Sequence, residues 1–91
     1  MKIHLLATVA VIATGFWFKV TRAEWGLLVI AITIVWVTET LNTAIEYFTD
    51  LIQPEHHPVA GKIKDISAGA VLIAAFGAML IGIIVFLKYF F

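Results

Sequence analysis

Glu39, Asn42, Glu46 and Asp50 lie in the stretch TETLNTAIEYFTD, residues 38–50, at the end of a run, EWGLLVIAITIVWV, that reads as membrane-spanning. Carboxylates accept protons and ligate hard cations, and a carboxamide orients a hydroxyl. On a helix advancing about 100° per residue, positions 39, 42, 43, 46 and 50 fall within roughly a 100° arc. Glu39, Asn42, Thr43, Glu46 and Asp50 therefore share one polar face, while Leu41, Ala44, Ile45 and Phe48 occupy the remainder. With Trp25 at one interface, about 20 residues at ~1.5 Å each reach the other near Ile45. Glu39 then lies roughly 9 Å below that surface, Glu46 at it, and Asp50 among headgroups or water. A carboxylate at such depth costs on the order of 3 kcal/mol unless it is paired, hydrated or protonated. A helix-to-helix polar contact accounts for Asn42 or Thr43 alone. It does not account for three acids on one face, which repel one another unless a cation lies among them.

Acids graded from membrane depth to surface suit chemistry on a lipid headgroup. A lipid hydroxyl would lie level with Glu39 and Asn42, while a water-soluble co-substrate would approach Glu46 and Asp50. Phosphoryl transfer needs Mg²⁺ on oxygen ligands and a carboxylate to orient and deprotonate the attacking hydroxyl. Lys62 and Lys64, on the same side, are cations available to hold phosphates.

The elements that must position this face follow from composition. Hydrophobic residues make up 63% of the 91, charged ones 13%, and the mean hydropathy is +1.06. A soluble domain of this length could not cover so much apolar surface. The expected class is an all-α membrane protein, one domain over 1–91 with three transmembrane helices near 3–20, 24–52 and 62–88. Loop 53–61 contains Pro54, Pro58 and Gly61, which separate the last two helices. A cleaved signal peptide over 1–23 is the weaker reading of the first stretch, because GFWFK is bulky where a cleavage region is small. The absence of cysteine excludes disulfides and thiolate metal sites, and no basic run suits nucleic acid. His56 and His57 beside Glu55 invite a metal site, but neighbouring loop histidines do not easily face one ion, and a solvated loop or a nucleotide contact fits better. Ala70, Ala74, Ala78 and Gly82 form a small-residue stripe that permits close helix packing, within the chain or between protomers. Lys2, Lys62 and Lys64 balance Lys19, Arg22 and Lys88, so the positive-inside count does not orient the chain.

The segments ETLNTAIEYFTD and PEHHPVAGKIKDISAGAVL, with KIHLLA near the start and EW before the second stretch, resemble the prokaryotic diacylglycerol kinase family, which includes undecaprenol kinases. The resemblance spans essentially the whole chain. It implies ATP-dependent phosphorylation of undecaprenol or diacylglycerol, with Glu39 as general base and Asn42 positioning it or the substrate. It further implies that Glu46 binds Mg²⁺, that Lys64 and Asp65 contact the nucleotide, and that Glu55, His56 and His57 line the same cleft. Asp50 continues the polar face beyond these residues. A homotrimer with shared sites in the bacterial cytoplasmic membrane is implied, and because ATP is cytosolic, loop and N-terminus would face the cytoplasm. Family members carry an amphipathic surface helix and a segment like ERNF before the position of Lys2, whose Glu supplies a second metal carboxylate. The present sequence begins at Met1, from which a truncated start is expected. The alternative is a catalytically impaired or non-catalytic oligomer of the same fold, and an ion-coupled transporter ranks last because the chain has no repeat.

Overall fold

The computed structural model describes residues 2–55 and 57–90, and its regular elements are three helices: α1 (Lys2–Phe18), α2 (Arg22–Ile52) and α3 (Pro58–Phe90). They form a rod of 51 × 18 × 18 Å. Its length is that of the two long helices, since 31 and 33 residues rise about 46 and 50 Å. Both are long and apolar enough to cross a membrane, whereas α1 is apolar but has 17 residues, about 25 Å.

The expected boundaries shift by one to four residues at every end but Ile52, and at two of these ends the local cause is plain. The first helix stops at Phe18 rather than residue 20, because Lys19 turns left-handed at φ 53°. Lys19 N–H then donates to Phe16 O at 3.3 Å and Val20 N–H to Gly15 O at 3.2 Å, which is a Schellman closure with lysine in the place glycine usually takes. The third helix begins at Pro58 instead of 62. Proline suits a first helical position, since its missing N–H is one that the helix could not bond anyway. His57 completes the start, with Nδ1 accepting from Val59 N–H at 3.1 Å and its carbonyl accepting from Gly61 N–H at 3.0 Å.

The turn into α2 is fixed by Thr21 and Glu24. Glu24 N–H donates to Thr21 Oγ1 at 3.2 Å, and Thr21 N–H donates to Glu24 Oε1 at 2.8 Å, a reciprocal capping box. The same carboxylate ties α2 to the end of α3. Tyr89 OH donates to Glu24 Oε1 at 2.6 Å, and Lys88 Nζ lies 3.1 Å from Oε2. Glu24 is buried, and its charge is offset because every neighbour donates to it.

The small core sits at this same end. Val20, Leu28 and Val85 are buried, with Val11, Phe18, Trp25, Ile81, Phe86 and Tyr89 packed around them. Gly15 lets α1 approach α2 there, since a Cβ on it would lie 2.6 Å from the Trp25 ring. Elsewhere most large apolar side chains are exposed, Leu72, Ile73 and Ile84 each above 70%. The accessible surface of 6814 Å² exceeds the roughly 5,300 Å² of a folded soluble chain of this mass. The outer faces are made for an apolar surround. Of the small-residue stripe, Ala74 is buried, while Ala78 and Gly82 border a cleft facing α1 and α2.

Candidate functional site

The polar face forms on α2 as its spacing requires and divides into three pairs. Nearest the middle of the rod, Glu39 meets α1. His4 Nε2 lies 3.8 Å from Glu39 Oε2, with both side chains mostly shielded. One turn further on, Asn42 Nδ2 donates to Glu46 Oε1 at 3.0 Å. Near the end of the helix, Asp50 forms an ion pair with Lys64 of α3. Thr43 faces inward along the helix, its hydroxyl donating to Glu39 O at 3.0 Å.

Burial falls steadily along this series. Glu39 and Asn42 are half-buried, whereas Glu46 and Asp50 are exposed. Asn42 Oδ1 is shielded from solvent and has no partner among the described residues. The backbone explains the gradient. Glu24 and Glu39 are 15 residues apart, about 22 Å along α2, and α1 runs back from the capped turn by a similar length. It therefore ends near the level of Glu39. Beyond it, only α3 accompanies the last turns of α2, and the lower part of the polar face has no helix from α1 beside it.

Several expected site residues are brought together and others are not. Glu39 and Asn42 lie within one turn, as do Asn42 and Glu46. Lys64 reaches the face through Asp50 rather than through either glutamate. Glu55 is exposed in the connection after α2, His57 Nδ1 is committed to the start of α3, and Asp65 is exposed on α3. His56 lies outside the described residues. Among the described residues, no three histidine or acidic side chains converge as a metal cage. Glu46 offers one exposed carboxylate, which is within the habit of Mg²⁺, an ion that takes one or two carboxylates and completes its shell with phosphate and water.

Two participants were not singled out by sequence reading. His4 stands within a stretch read as uniformly apolar, and only the folding of α1 against α2 carries it to Glu39. Trp36 holds that contact. Its indole N–H donates to Thr8 Oγ1 at 2.8 Å, Thr8 Oγ1 donates to His4 O at 2.7 Å, and the Trp36 ring meets the His4 ring edge-on at 6.3 Å. A single His in an apolar helix gives little warning of such a role, although its period with Thr8 was available.

Two helices long and apolar enough to cross a membrane, a third apolar helix and an acidic face graded from shielded to exposed make up the frame of this molecule. Over residues 1–86 the chain matches the prokaryotic diacylglycerol kinase family, and it belongs to that family. It is similar to undecaprenol kinase of Bacillus subtilis (strain 168), with 40% identity over 86 residues that cover 94% of this chain and 70% of the relative. It is also similar to diacylglycerol kinase of Escherichia coli (strain K12), with 32% identity over 85 residues covering 93% and 70%. A diacylglycerol kinase from Synechocystis sp. is 35% identical over 82 residues, which span 89% of this chain and 47% of that one. The chain is thus a membrane protein of a lipid kinase family.

Proposed function

We propose that this protein transfers the γ-phosphoryl group of ATP to the hydroxyl of a membrane lipid alcohol, undecaprenol or diacylglycerol, at the cytoplasmic face of the bacterial inner membrane. The observation that carries this reading is the graded polar face, half-buried at Glu39 and Asn42 and exposed at Glu46 and Asp50. If the Glu24, Lys88 and Tyr89 cluster marks one membrane interface, Glu39 lies about 22 Å from it and roughly 8 Å short of the other. That is the depth of a lipid hydroxyl, and the surface end is open to a nucleotide.

The roles follow from the pairs. Glu39 accepts the hydroxyl proton as the lipid oxygen attacks the γ-phosphorus. A new P–O bond forms, the bond to the bridging oxygen breaks, and ADP departs with that electron pair. Asn42 Oδ1, an acceptor with no partner among the described residues, steadies the lipid hydroxyl as it enters, and the hydrogen then turns to Glu39 for transfer. Glu46 would hold Mg²⁺, which would supply positive charge to offset that of the phosphates. Lys64 and Asp65 lie on the nucleotide side, with Glu55, His56 and His57 along the connection. An apolar cleft between α1 and α3, lined by Ile3, Ala7, Val11, Met79 and Phe86 with His4 as its polar member, suits an alkyl or prenyl chain. A homotrimer would cover the exposed faces and supply groups beside the lower polar face, where α1 is absent. The names of the relatives favour a kinase over an inactive scaffold of the same fold.

The test is transfer of labelled γ-phosphate to undecaprenol and to diacylglycerol in lipid vesicles with ATP and Mg²⁺. Glu39→Gln and Glu46→Gln each abolish it. Retained activity in Glu46→Gln removes the metal assignment, and no transfer to either lipid by the parent chain removes the kinase reading.

A further inference from the structure

His4 is the titratable side chain that α1 contributes to the neighbourhood of Glu39, and its surroundings determine what it offers. Nδ1 is shielded from solvent and has no partner among the described residues, while Nε2 points to Glu39 Oε2 at 3.8 Å. A hydrogen on Nδ1 would bury an orphan donor and turn an imidazole lone pair toward a carboxylate. Placing it on Nε2 leaves only an acceptor unpaired, the smaller penalty, and aims an N–H at the acid. The ring is held by neighbours that leave little freedom to turn away. Trp36 packs edge-on against it, and the Trp36–Thr8–His4 carbonyl chain pins the α1 backbone at that turn. A shift of about 0.6–0.9 Å from the 3.8 Å separation closes the N–H to a hydrogen bond.

We propose that His4 is the positioning residue for Glu39, donating from Nε2 to one carboxylate oxygen so that the other faces the lipid hydroxyl. This rests on the reading of Glu39 as the proton acceptor. A glutamate carboxylate, at the end of three torsions, rotates among several orientations, and a donor from a second helix selects one. His4 acts through Glu39 and touches no phosphate. The effect of losing it falls on turnover, not on nucleotide binding, because Glu46, one turn beyond Asn42, and Lys64 of α3 are held by other partners.

Two measurements on the full chain in lipid vesicles or nanodiscs separate the contact from its catalytic consequence. In protein labelled with ¹⁵N-histidine, the His4 imidazole signal, assigned by its loss in His4→Phe, shifts in Glu39→Gln and stays in place in Glu46→Gln. A His4 signal that ignores Glu39→Gln overturns the contact whether or not the protein is a kinase. In the transfer assay, His4→Phe keeps the packing on Trp36 but lowers kcat on the order of 10²-fold, the scale of a misplaced catalytic group, with KM for ATP unchanged. His4→Gln, which retains an N–H near the Nε2 position, recovers a substantial part of that loss. Wild-type kcat in His4→Phe overturns the proposal, as does equal loss in His4→Phe and His4→Gln with a matching fall in thermal stability, which would mark a packing role. Full activity in Glu39→Gln overturns the proton-acceptor reading itself, and the imidazole signal still reports the contact separately.

Discussion

Glu39, Glu46 and Asp50 are three carboxylates on one helix face, and their partners divide their work. Glu39 meets an imidazole in a shielded place, Glu46 accepts from an amide, and Asp50 is met by a lysine in the open. An exposed ion pair like Asp50–Lys64 contributes at most about 1 kcal/mol to stability, so its loss is not a folding event. Lys64→Met and Asp50→Asn break the same pair, but only Lys64→Met also removes a cation that phosphate oxygens could use. Lys64→Met is therefore expected to raise KM for ATP about tenfold, the value of one charge-assisted hydrogen bond, and Asp50→Asn much less. Initial rates against ATP concentration check this, and equal KM values would show that Lys64 serves Asp50 alone. The acidic face itself was legible in the residue spacing, because 100° per residue admits one arrangement of positions 39, 42, 46 and 50. The Asp50–Lys64 and His4–Glu39 pairs were not, since each joins two helices whose relative rotation spacing along one chain does not set.

At the scale of elements, the end of the rod far from the acidic face is the better fastened. Gly15 against Trp25 and Glu24 against Lys88 and Tyr89 bind α1, α2 and α3 there. Gly15→Ala places a methyl group into the Trp25 ring, which is already stacked at 4.9 Å on Phe16, and is expected to destabilise by about 1–3 kcal/mol. Gly82→Ala, with nothing within 4 Å of the added Cβ, is the matched control, and thermal unfolding in detergent compares them. Lys19→Gly works in the other direction, relieving a left-handed lysine and raising stability by up to about 1 kcal/mol. A Tm unchanged or lowered by Lys19→Gly would show that the lysine head group outweighs its backbone strain. Some of this end was written in the sequence. Thr21 and Glu24, three residues apart before an apolar run, carry the capping-box spacing, although the cross-ties from Glu24 to Lys88 and Tyr89 join opposite ends of the sequence and follow only from the fold. The left-handed turn at Lys19 had no signal, because lysine is not a residue that asks for positive φ.

For the whole molecule, the fastened and open ends define two alternative placements in a bilayer. Lys19, Arg22 and Lys88 gather at the fastened end and Lys2, Lys62 and Lys64 toward the other, so basic residues alone do not choose a side. Under the proposed kinase activity, the acidic face chooses it. Its open turns carry Glu46, Asp50 and Lys64, groups suited to a soluble phosphate donor, and a donor made in the cytosol reaches only a site that faces the cytosol. Placed the other way, the intramembrane cost of Glu39, on the order of 3 kcal/mol if unpaired, would serve a surface where ATP is absent. The chain has no cysteine, which makes the orientation directly measurable. Single replacements Glu55→Cys, after α2, and Ala23→Cys, in the first turn of α2, both sit at exposed positions. In intact cells a membrane-impermeant maleimide is expected to label Ala23→Cys and to spare Glu55→Cys until the cells are opened. The reverse pattern would put the acidic face outside and remove ATP as its co-substrate, whatever the fold and its relatives suggest.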